Sequence, residues 1–122
     1  MAPFHHDLSS LLSLSLDDSA LEKLAWRDFG NGTKMAKLAR AGETGLVLYR
    51  ISASADCAAF QPHTHVGGET YLVLRGAIVD ENGTYPAGSI VWMQPGSRHT
   101  PTGWDKGETI VLVLWPDGVK GS

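Results

Sequence analysis

The sequence predicts an all-β fold, either a sandwich or a small barrel, and three observations support this. Fourteen glycines and six prolines divide the 122 residues into short segments, which is typical of strands joined by turns rather than of helices. From Gly45 onward, runs rich in β-branched, leucine and aromatic residues alternate with turns, and they span residues 46–52, 70–79, 89–93 and 108–115. Asn82-Gly83 lies between the second and third runs and indicates a tight hairpin, because both residues tolerate a positive φ.

One short helix is predicted before these strands. Ser19 and Glu22 have the spacing of a capping box, and the apolar residues around them are Ala20, Leu21 and Leu24. The pattern is long enough for two turns at most. We expect residues 1–122 to form a single domain with its core at about 45–115, and residues 1–44 to be an extension that packs on the barrel or on a partner subunit.

Two of the predicted strands lack the alternation of a half-buried strand. Residues 46–49 and 110–114 are apolar at every position, which is typical of strands that are covered on both faces. One face would line the interior. The other needs a cover, which could be a second subunit, the leucine-rich start of the chain, or both; those leucines are Leu8, Leu11, Leu12, Leu14 and Leu16. We therefore expect a homodimer that uses the outer face of the sheet.

Charge and composition exclude several classes of protein. Charged residues make up 19% of the chain, the formal net charge is −3, and no segment is strongly basic, so neither nucleic acid nor an anionic membrane is an expected partner. The longest apolar stretch, residues 110–115, is much shorter than the roughly 20 residues of a membrane-spanning helix. The start of the chain lacks the basic region of a secretory signal, and the single cysteine, Cys57, fits a reducing compartment. We expect a soluble cytoplasmic protein.

Three histidines and one glutamate lie at positions that favour metal binding. His63 and His65 are two residues apart, so in a strand their imidazoles point to the same face. Glu69 has the same parity, and Gly67-Gly68 permits the bend that would turn it toward them. A histidine pair alone is more often a surface feature than a metal site. However, His99 follows a Pro-Gly turn and could close the site, and such a set suits a borderline divalent ion such as Zn, Fe(II), Mn, Ni or Cu.

The spacing of these residues resembles the two motifs of the cupin family. The first motif places His-x-His, then Glu after three or four residues, then Gly after six more, as His63, His65, Glu69 and Gly76 are placed here. The second motif has a Gly, then Pro-x-Gly, then His, and Gly88, Gly96 and His99 occupy the matching positions. The resemblance covers about residues 45–115. It implies a double-stranded β-helix, also described as a jelly-roll-like barrel. The resemblance also implies that one divalent metal ion binds to His63, His65, Glu69 and His99. Zinc and Fe(II) are the metals expected first, and Mn and Ni are alternatives.

The chain departs from the family pattern at three positions. Cys57 stands where the first motif has glycine, Gln94 stands where the second has proline, and Gly103 replaces an asparagine that usually follows the last histidine. None of these changes removes a ligand. Cys57 is interpreted as a small buried thiol rather than a reactive one.

Within the cupins, the chain is most similar to the branch that contains the cupin domain of ChrR-type anti-sigma factors. Dihydroxyacetophenone and acetylacetone dioxygenases resemble this branch as well. The resemblance implies either a metal-dependent dioxygenase that acts on a small diketone or hydroxyketone, or a zinc-binding sensor module without catalysis. Residues 1–45 lack the helical, His- and Cys-containing segment expected of a sigma-binding domain, so we favour the enzyme. Sugar isomerisation is a third and more distant alternative.

The strand parity also predicts the residues around the metal. Tyr71 and Val73 share the parity of Glu69 and are expected to line the barrel, and Gln61 and Gln94 could orient the ligands. Trp92 and Arg98 complete the predicted lining of a pocket for a small-molecule substrate.

Overall fold

The structure, a computed structural model, describes residues 4–7, 18–30, 32–53, 63–116 and 119–121. These contain twelve strands and one short helix: β1 (Phe4–Asp7), α1 (Asp18–Glu22), β2 (Arg27–Gly30), β3 (Thr33–Ala41), β4 (Thr44–Ile51), β5 (His63–His65), β6 (Glu69–Arg75), β7 (Ala77–Asp80), β8 (Gly83–Pro86), β9 (Ser89–Met93), β10 (Arg98–His99), β11 (Thr109–Trp115) and β12 (Val119–Gly121). In the described part of the chain, no helix has the length and apolar character needed to cross a membrane.

The largest sheet has seven strands in the order β1-β9-β6-β11-β4-β3-β2. All of its strand pairs are antiparallel. Its centre is formed by β4 and β11, which contain the two runs that are apolar at every position, residues 46–49 and 110–114. Strands without a polar face are stable where other layers pack on both faces of the sheet, as the two apolar clusters do here.

The inner face of this sheet carries the main core. Val73, Val91 and Val111 belong to it and are at most 2% exposed. Ile78 and Tyr85 join the same core from the β7–β8 hairpin, so this hairpin packs against the inner face. The predicted all-β class is confirmed, although among the described residues hydrogen bonds do not join the sheets into one closed barrel.

The outer face carries a second apolar cluster. Leu48 and Ile110 point outward, and Leu21 of α1 packs on them together with Leu24 and Trp26. The short predicted helix therefore forms and covers part of the outer face, while Leu114 at the end of β11 remains 39% exposed. The other leucines that were expected to cover this face, residues 8–16, lie outside the described residues.

Residues 1–44 contribute to the large sheet as well as covering it. Strands β2 and β3 form a hairpin whose second strand pairs with β4 along its whole length. At the opposite edge, β1 pairs with β9. The described parts of this region are thus integral strands of the sheet rather than only a separate layer upon it.

The second layer brings distant parts of the chain to the inner side. A three-stranded sheet has the order β10-β5-β12, and β7 and β8 form the hairpin predicted from Asn82-Gly83. Val79 of β7 and Thr102 exchange two backbone hydrogen bonds of 3.0 and 2.7 Å, which tie the hairpin to the segment after β10. This arrangement places β5, β6, β7 and β10 around one end of the interior.

Candidate metal centre

The two histidines of β5 occupy its ends and share one side of the strand. His65 is fully buried and His63 is partly exposed. Their ring centroids lie 4.8 Å apart. The backbone of β5 is held on both sides by β10 and β12, so the two imidazoles project from a paired strand rather than from a free loop.

A tight turn positions Glu69 beside His65. The N–H of Gly68 donates to the carbonyl of His65 over 3.3 Å, which closes the turn between β5 and β6. Gly68 has a φ of 89°, and a Cβ there would lie 2.7 Å from the backbone oxygen of Met93. Only glycine fits this position, because both the backbone conformation and the space exclude a side chain. The predicted Gly-Gly bend therefore serves to bring Glu69 toward His65.

A second turn positions His99. The Pro-Gly turn before β10 is closed by the N–H of Ser97, which donates to the carbonyl of Gln94 over 3.0 Å. The N–H of Gly96 donates to the carbonyl of His65 over 2.7 Å, so the turn is attached directly to β5. His99 is then paired with His63 across the two strands.

The four side chains predicted from the motif spacing come together. Each of His63, His65, Glu69 and His99 offers one ligand atom, and these atoms lie within 4.8 Å of one another. Nε2 of His65 lies 3.2 Å from Oε2 of Glu69, and Nε2 of His99 lies 3.6 Å from Oε1 of the same carboxylate. The Nε2 atoms of His63 and His99 are 3.0 Å apart. Three imidazole nitrogens and a carboxylate thus converge on one point between the two layers.

Each of three ligands is oriented by a neighbour on its far side. Nδ1 of His99 lies 3.1 Å from Oδ2 of Asp80, whose side chain is fully buried. Because an ionised carboxylate can only accept, Nδ1 of His99 is the donor in this contact, and Nε2 is the nitrogen that faces the other clustered side chains. Nδ1 of His65 contacts the hydroxyl of Ser97 at 3.0 Å. The indole N–H of Trp115 donates to Oε2 of Glu69 over 2.5 Å. Such outer contacts are typical of metal ligands, whose tautomer and direction they determine.

Both carboxylates of the site are stabilised as anions. Burial raises the pKa of Glu69, but the adjacent imidazoles of His65 and His99 and the indole of Trp115 outweigh it, so the net pKa lies below 4.5. Burial likewise raises the pKa of Asp80, and the hydrogen bonds from His99 and from the backbone of Asn82 and Gly83 outweigh it and lower the pKa below 3.8. Two negative charges therefore share a buried region with imidazoles.

The donor set fits a divalent cation. Nε2 of His65 is buried and makes no well-aligned hydrogen bond to the described residues, although a carboxylate oxygen is only 3.2 Å away. Buried polar atoms are rarely left in this state. A cation placed between the nitrogen and the carboxylate would satisfy both, and N₃O coordination suits zinc, iron, manganese and nickel.

A small cavity adjoins the ligands. Its volume is about 30 Å³, and it is partly open. Its walls are mostly apolar, and they are formed by Tyr49, His63, Glu69, Tyr71, Ile78, His99, Pro101, Val111, Val113 and Trp115. The hydroxyl of Tyr71 is buried in this wall and has no hydrogen-bond partner in the described residues. Burial is the main cause that raises the pKa of Tyr71, so this hydroxyl is neutral.

Of the other predicted pocket residues, some line this cavity and others lie elsewhere. Tyr71 lines it, whereas Val73 is fully buried in the core and Arg98 is exposed. Trp92 belongs to the opposite face of β9 and is 46% exposed, so it does not line the cavity; its parity differs from that of the inward-facing Val91 and Met93.

Gln94 is partly buried and contacts the turn before β10 through its backbone carbonyl. Gln61 and Cys57 lie outside the described residues.

Sequence reasoning missed three residues that contact or surround the ligands. Asp80 lies beside the predicted Asn82-Gly83 turn, and its Oδ1 accepts from the N–H of Asn82 over 2.8 Å. Tyr49 and Trp115 lie in the apolar runs 46–49 and 110–115. The parity of Trp115 with Val111 and Val113 places it inward and could have indicated its position. No local signal marks Asp80 as the partner of His99, which is 19 residues away.

Comparison with known proteins identifies relatives of this fold and site. The chain is 37% identical over 81 residues to the anti-sigma-E factor ChrR of Cereibacter sphaeroides, which covers 66% of this chain and 37% of that protein. The crystal structure of Rhodobacter sphaeroides SigE in complex with the anti-sigma ChrR matches with a TM-score of 0.67 and 33% identity, over 78% of this chain and 50% of the matched chain. This chain thus spans half or less of these ChrR relatives.

A second kind of relative shares the fold at lower identity. An acetylacetone dioxygenase from Acinetobacter johnsonii matches with a TM-score of 0.62 and 15% identity, over 86% of this chain and 73% of that one. At this identity the likeness concerns the fold alone. The family described as the ChrR cupin-like domain matches residues 19–117, a range that includes all four clustered residues. The chain therefore belongs to the ChrR cupin-like domain family.

Proposed function

We propose that this protein is a mononuclear metal-binding cupin that acts as a metal-dependent dioxygenase on a small diketone or hydroxyketone. The convergence of three imidazoles and Glu69 beside a partly open, mostly apolar cavity supports this proposal. The ion would be zinc or Fe(II), with manganese and nickel as alternatives, and Fe(II) is the form expected to be active with dioxygen.

A divalent ion held by these four residues would supply Lewis-acid stabilisation of an enolate and coordination positions for its two oxygens. The protein itself would supply orientation and exclusion of water. Asp80 contacts Nδ1 of His99, and Ser97 contacts Nδ1 of His65. The indole of Trp115 donates to Glu69. Pre-oriented ligands of this kind do not need to reorganise when substrate arrives.

The cavity favours a small chelating substrate over a sugar phosphate. The described residues that form its walls include Ile78, Val111 and Val113 but neither lysine nor arginine, the side chains that bind phosphate. His63 is the most exposed of the four clustered residues, so a substrate could approach from its side. No nucleophilic side chain is required, because the oxidant is dioxygen and the oxidised carbon belongs to the substrate.

Oxygen consumption tests the proposal directly. Iron-loaded protein would be assayed with a panel of diketones and hydroxyketones, with zinc-loaded protein as the control. We expect uptake that requires iron and substrate, that is lost in Glu69→Gln, and that is retained in Glu108→Gln, whose carboxylate lies in a surface ion-pair network. Absence of turnover with every substrate would contradict the enzymatic function.

The second candidate function is a regulatory module without catalysis. The similarity to ChrR supports it, because an identity of 33% and a TM-score of 0.67 exceed those of the dioxygenase relative. In this alternative, tightly held zinc would control binding to a sigma factor. Titration of a SigE-type factor into zinc-loaded and metal-free protein would test it, and equal or absent binding in both states would exclude it.

We also propose that the chain forms a homodimer through the outer face of the large sheet. Trp92 and Leu114 are 46% and 39% exposed, and both are paired with Thr70, so they lie in one row across three strands. Exposed apolar groups in a row are typical of an interface. Light scattering should give a dimer for the wild type and a monomer for the double variant Trp92→Lys, Leu114→Lys. A monomeric wild type at high micromolar concentration would refute the dimer.

A further inference from the structure

We propose that the hydroxyl of Tyr71 is the hydrogen-bond donor for a small anionic oxygen ligand held in the cavity beside His63 and Glu69. This inference rests on the proposed function, since the ligand would be retained by the metal ion. The inference adds two points to the proposed function: which residue binds the ligand, and which class of ligand atom that residue binds.

The first support is the state of the hydroxyl. Tyr71 is 3% exposed, it lines the cavity, and its hydroxyl oxygen has no partner in the part of the chain that the structure describes. A buried hydroxyl without a partner destabilises a protein relative to a phenylalanine of the same shape. A ligand acceptor in the cavity would remove this cost.

The second support is that the nearby protein acceptors have other partners. Glu69 lines the same cavity as Tyr71, and Asp80 contacts His99, which also lines this cavity. Asp80 accepts from His99 and from the backbone of Asn82. Glu69 accepts from Trp115 and faces His65. The hydroxyl therefore remains available to a third acceptor.

The same surroundings define the class of ligand. A neutral phenol donates most strongly to an anionic oxygen, such as that of an enolate, a hydroxamate or a carboxylate. An anion placed near Asp80 and Glu69 would be repelled unless a cation neutralised it. The ligand must therefore carry an oxygen that can reach both the metal ion and Tyr71, which describes a small chelating anion.

The contrast with Tyr85 provides a matched control. Tyr85 packs edge-on against Tyr71, with ring centroids 6.5 Å apart, and it is similarly buried. It belongs to the core and not to the residues that line the cavity. Tyr85→Phe removes the same atom from the same core without removing a donor from the cavity.

The test uses acetohydroxamate as the probe and cobalt(II)-loaded protein, whose visible spectrum reports ligand binding. We expect Tyr71→Phe to retain its cobalt and to have an unchanged or higher melting temperature. The affinity for acetohydroxamate should fall about 10- to 100-fold, as expected for loss of a hydrogen bond to a charged group. Tyr85→Phe should bind the probe like the wild type.

Several results would overturn the inference. The inference is wrong if the wild type and Tyr71→Phe bind the probe with equal affinity, or if acetohydroxamate does not change the cobalt spectrum of the wild type. It is also wrong if Tyr71→Phe loses its fold or its cobalt. Failure of the proposed function is recognised separately. Absence of oxygen uptake with intact cobalt and probe binding would contradict only the dioxygenase, whereas a wild type that binds no metal would contradict both.

Discussion

Two groups of charged and titratable side chains lie on opposite faces of the large sheet and are neutralised in different ways. The outer network consists of Glu22, Arg50, Arg75 and Glu108. The inner cluster consists of His63, His65, Glu69, Asp80 and His99. Both contain two carboxylates, but only the outer network contains arginine.

The outer network is complete within the protein. Glu108 accepts from Nε of Arg50 over 2.7 Å and from Nη1 of Arg75 over 2.8 Å, and Arg50 also pairs with Glu22 at 3.0 Å. Two positive charges thus balance two negative ones. Their side chains are 23–68% exposed, so water also screens the charges. Nothing further is needed to stabilise this arrangement.

The inner cluster has the opposite properties. The side chains of Glu69 and Asp80 are 5% and 0% exposed, and the groups that face them are imidazoles, an indole and backbone N–H groups. Water cannot screen these charges, and no arginine or lysine neutralises them in the described contacts. The difference supports the proposed metal ion at the inner cluster, because a buried negative charge is unfavourable unless it is paired.

Removal of one imidazole should have the largest effect on this cluster. We expect His99→Ala to lose more than 100-fold in metal affinity, because it removes a ligand and leaves Asp80 without its main partner. Elemental analysis after dialysis against trace zinc would measure the bound metal. His5→Ala on β1 is the control and should retain one ion per chain; an equal loss in both variants would disprove the assignment of the site.

Removal of the charge behind His99 should have a smaller effect. Asp80→Asn keeps an acceptor for Nδ1 of His99 but removes the negative charge, so metal affinity should fall by about 10- to 100-fold. Competition with a chromogenic chelator would measure it. Asp105→Asn, at an exposed position, is the control. An unchanged affinity in Asp80→Asn would show that the charge of Asp80 does not support the site.

Disruption of the outer network should have the smallest effect. We expect Arg50→Gln to lower the free energy of unfolding by about 1 kcal/mol, because partly exposed ion pairs contribute little and salt screens them. Metal content should not change. Urea unfolding at low and high salt would measure the loss, which should shrink at high salt; a loss of metal would show that the two faces are coupled.

Sequence reasoning predicted three of the four clustered residues because their relative positions depend on local geometry. A period of two places His63 and His65 on one face of β5, and a glycine turn returns the chain so that Glu69 faces them. The hairpin at Asn82-Gly83 follows from the same kind of local rule. His99 is 30 residues beyond Glu69, and its assignment came from the spacing of the second cupin motif.

The residues that support the ligands could not be predicted in this way. Asp80 already has a local role in its own turn, so its second contact with His99 leaves no mark on the sequence around it. Trp92 was expected near the metal and is instead exposed, because a one-residue change in parity moves a side chain to the other face of a sheet.

The sequence by itself therefore determined the all-β class and the shared face of His63, His65 and Glu69, since alternation and turn chemistry act over a few residues, and the resemblance to the cupin motifs added His99. The tertiary structure alone decided that Asp80 reaches His99, that Trp115 reaches Glu69 and that the hydroxyl of Tyr71 has no described protein partner. These contacts join strands from different layers. Their geometry depends on how the layers pack and on the register of distant strands, which no short segment of the chain specifies.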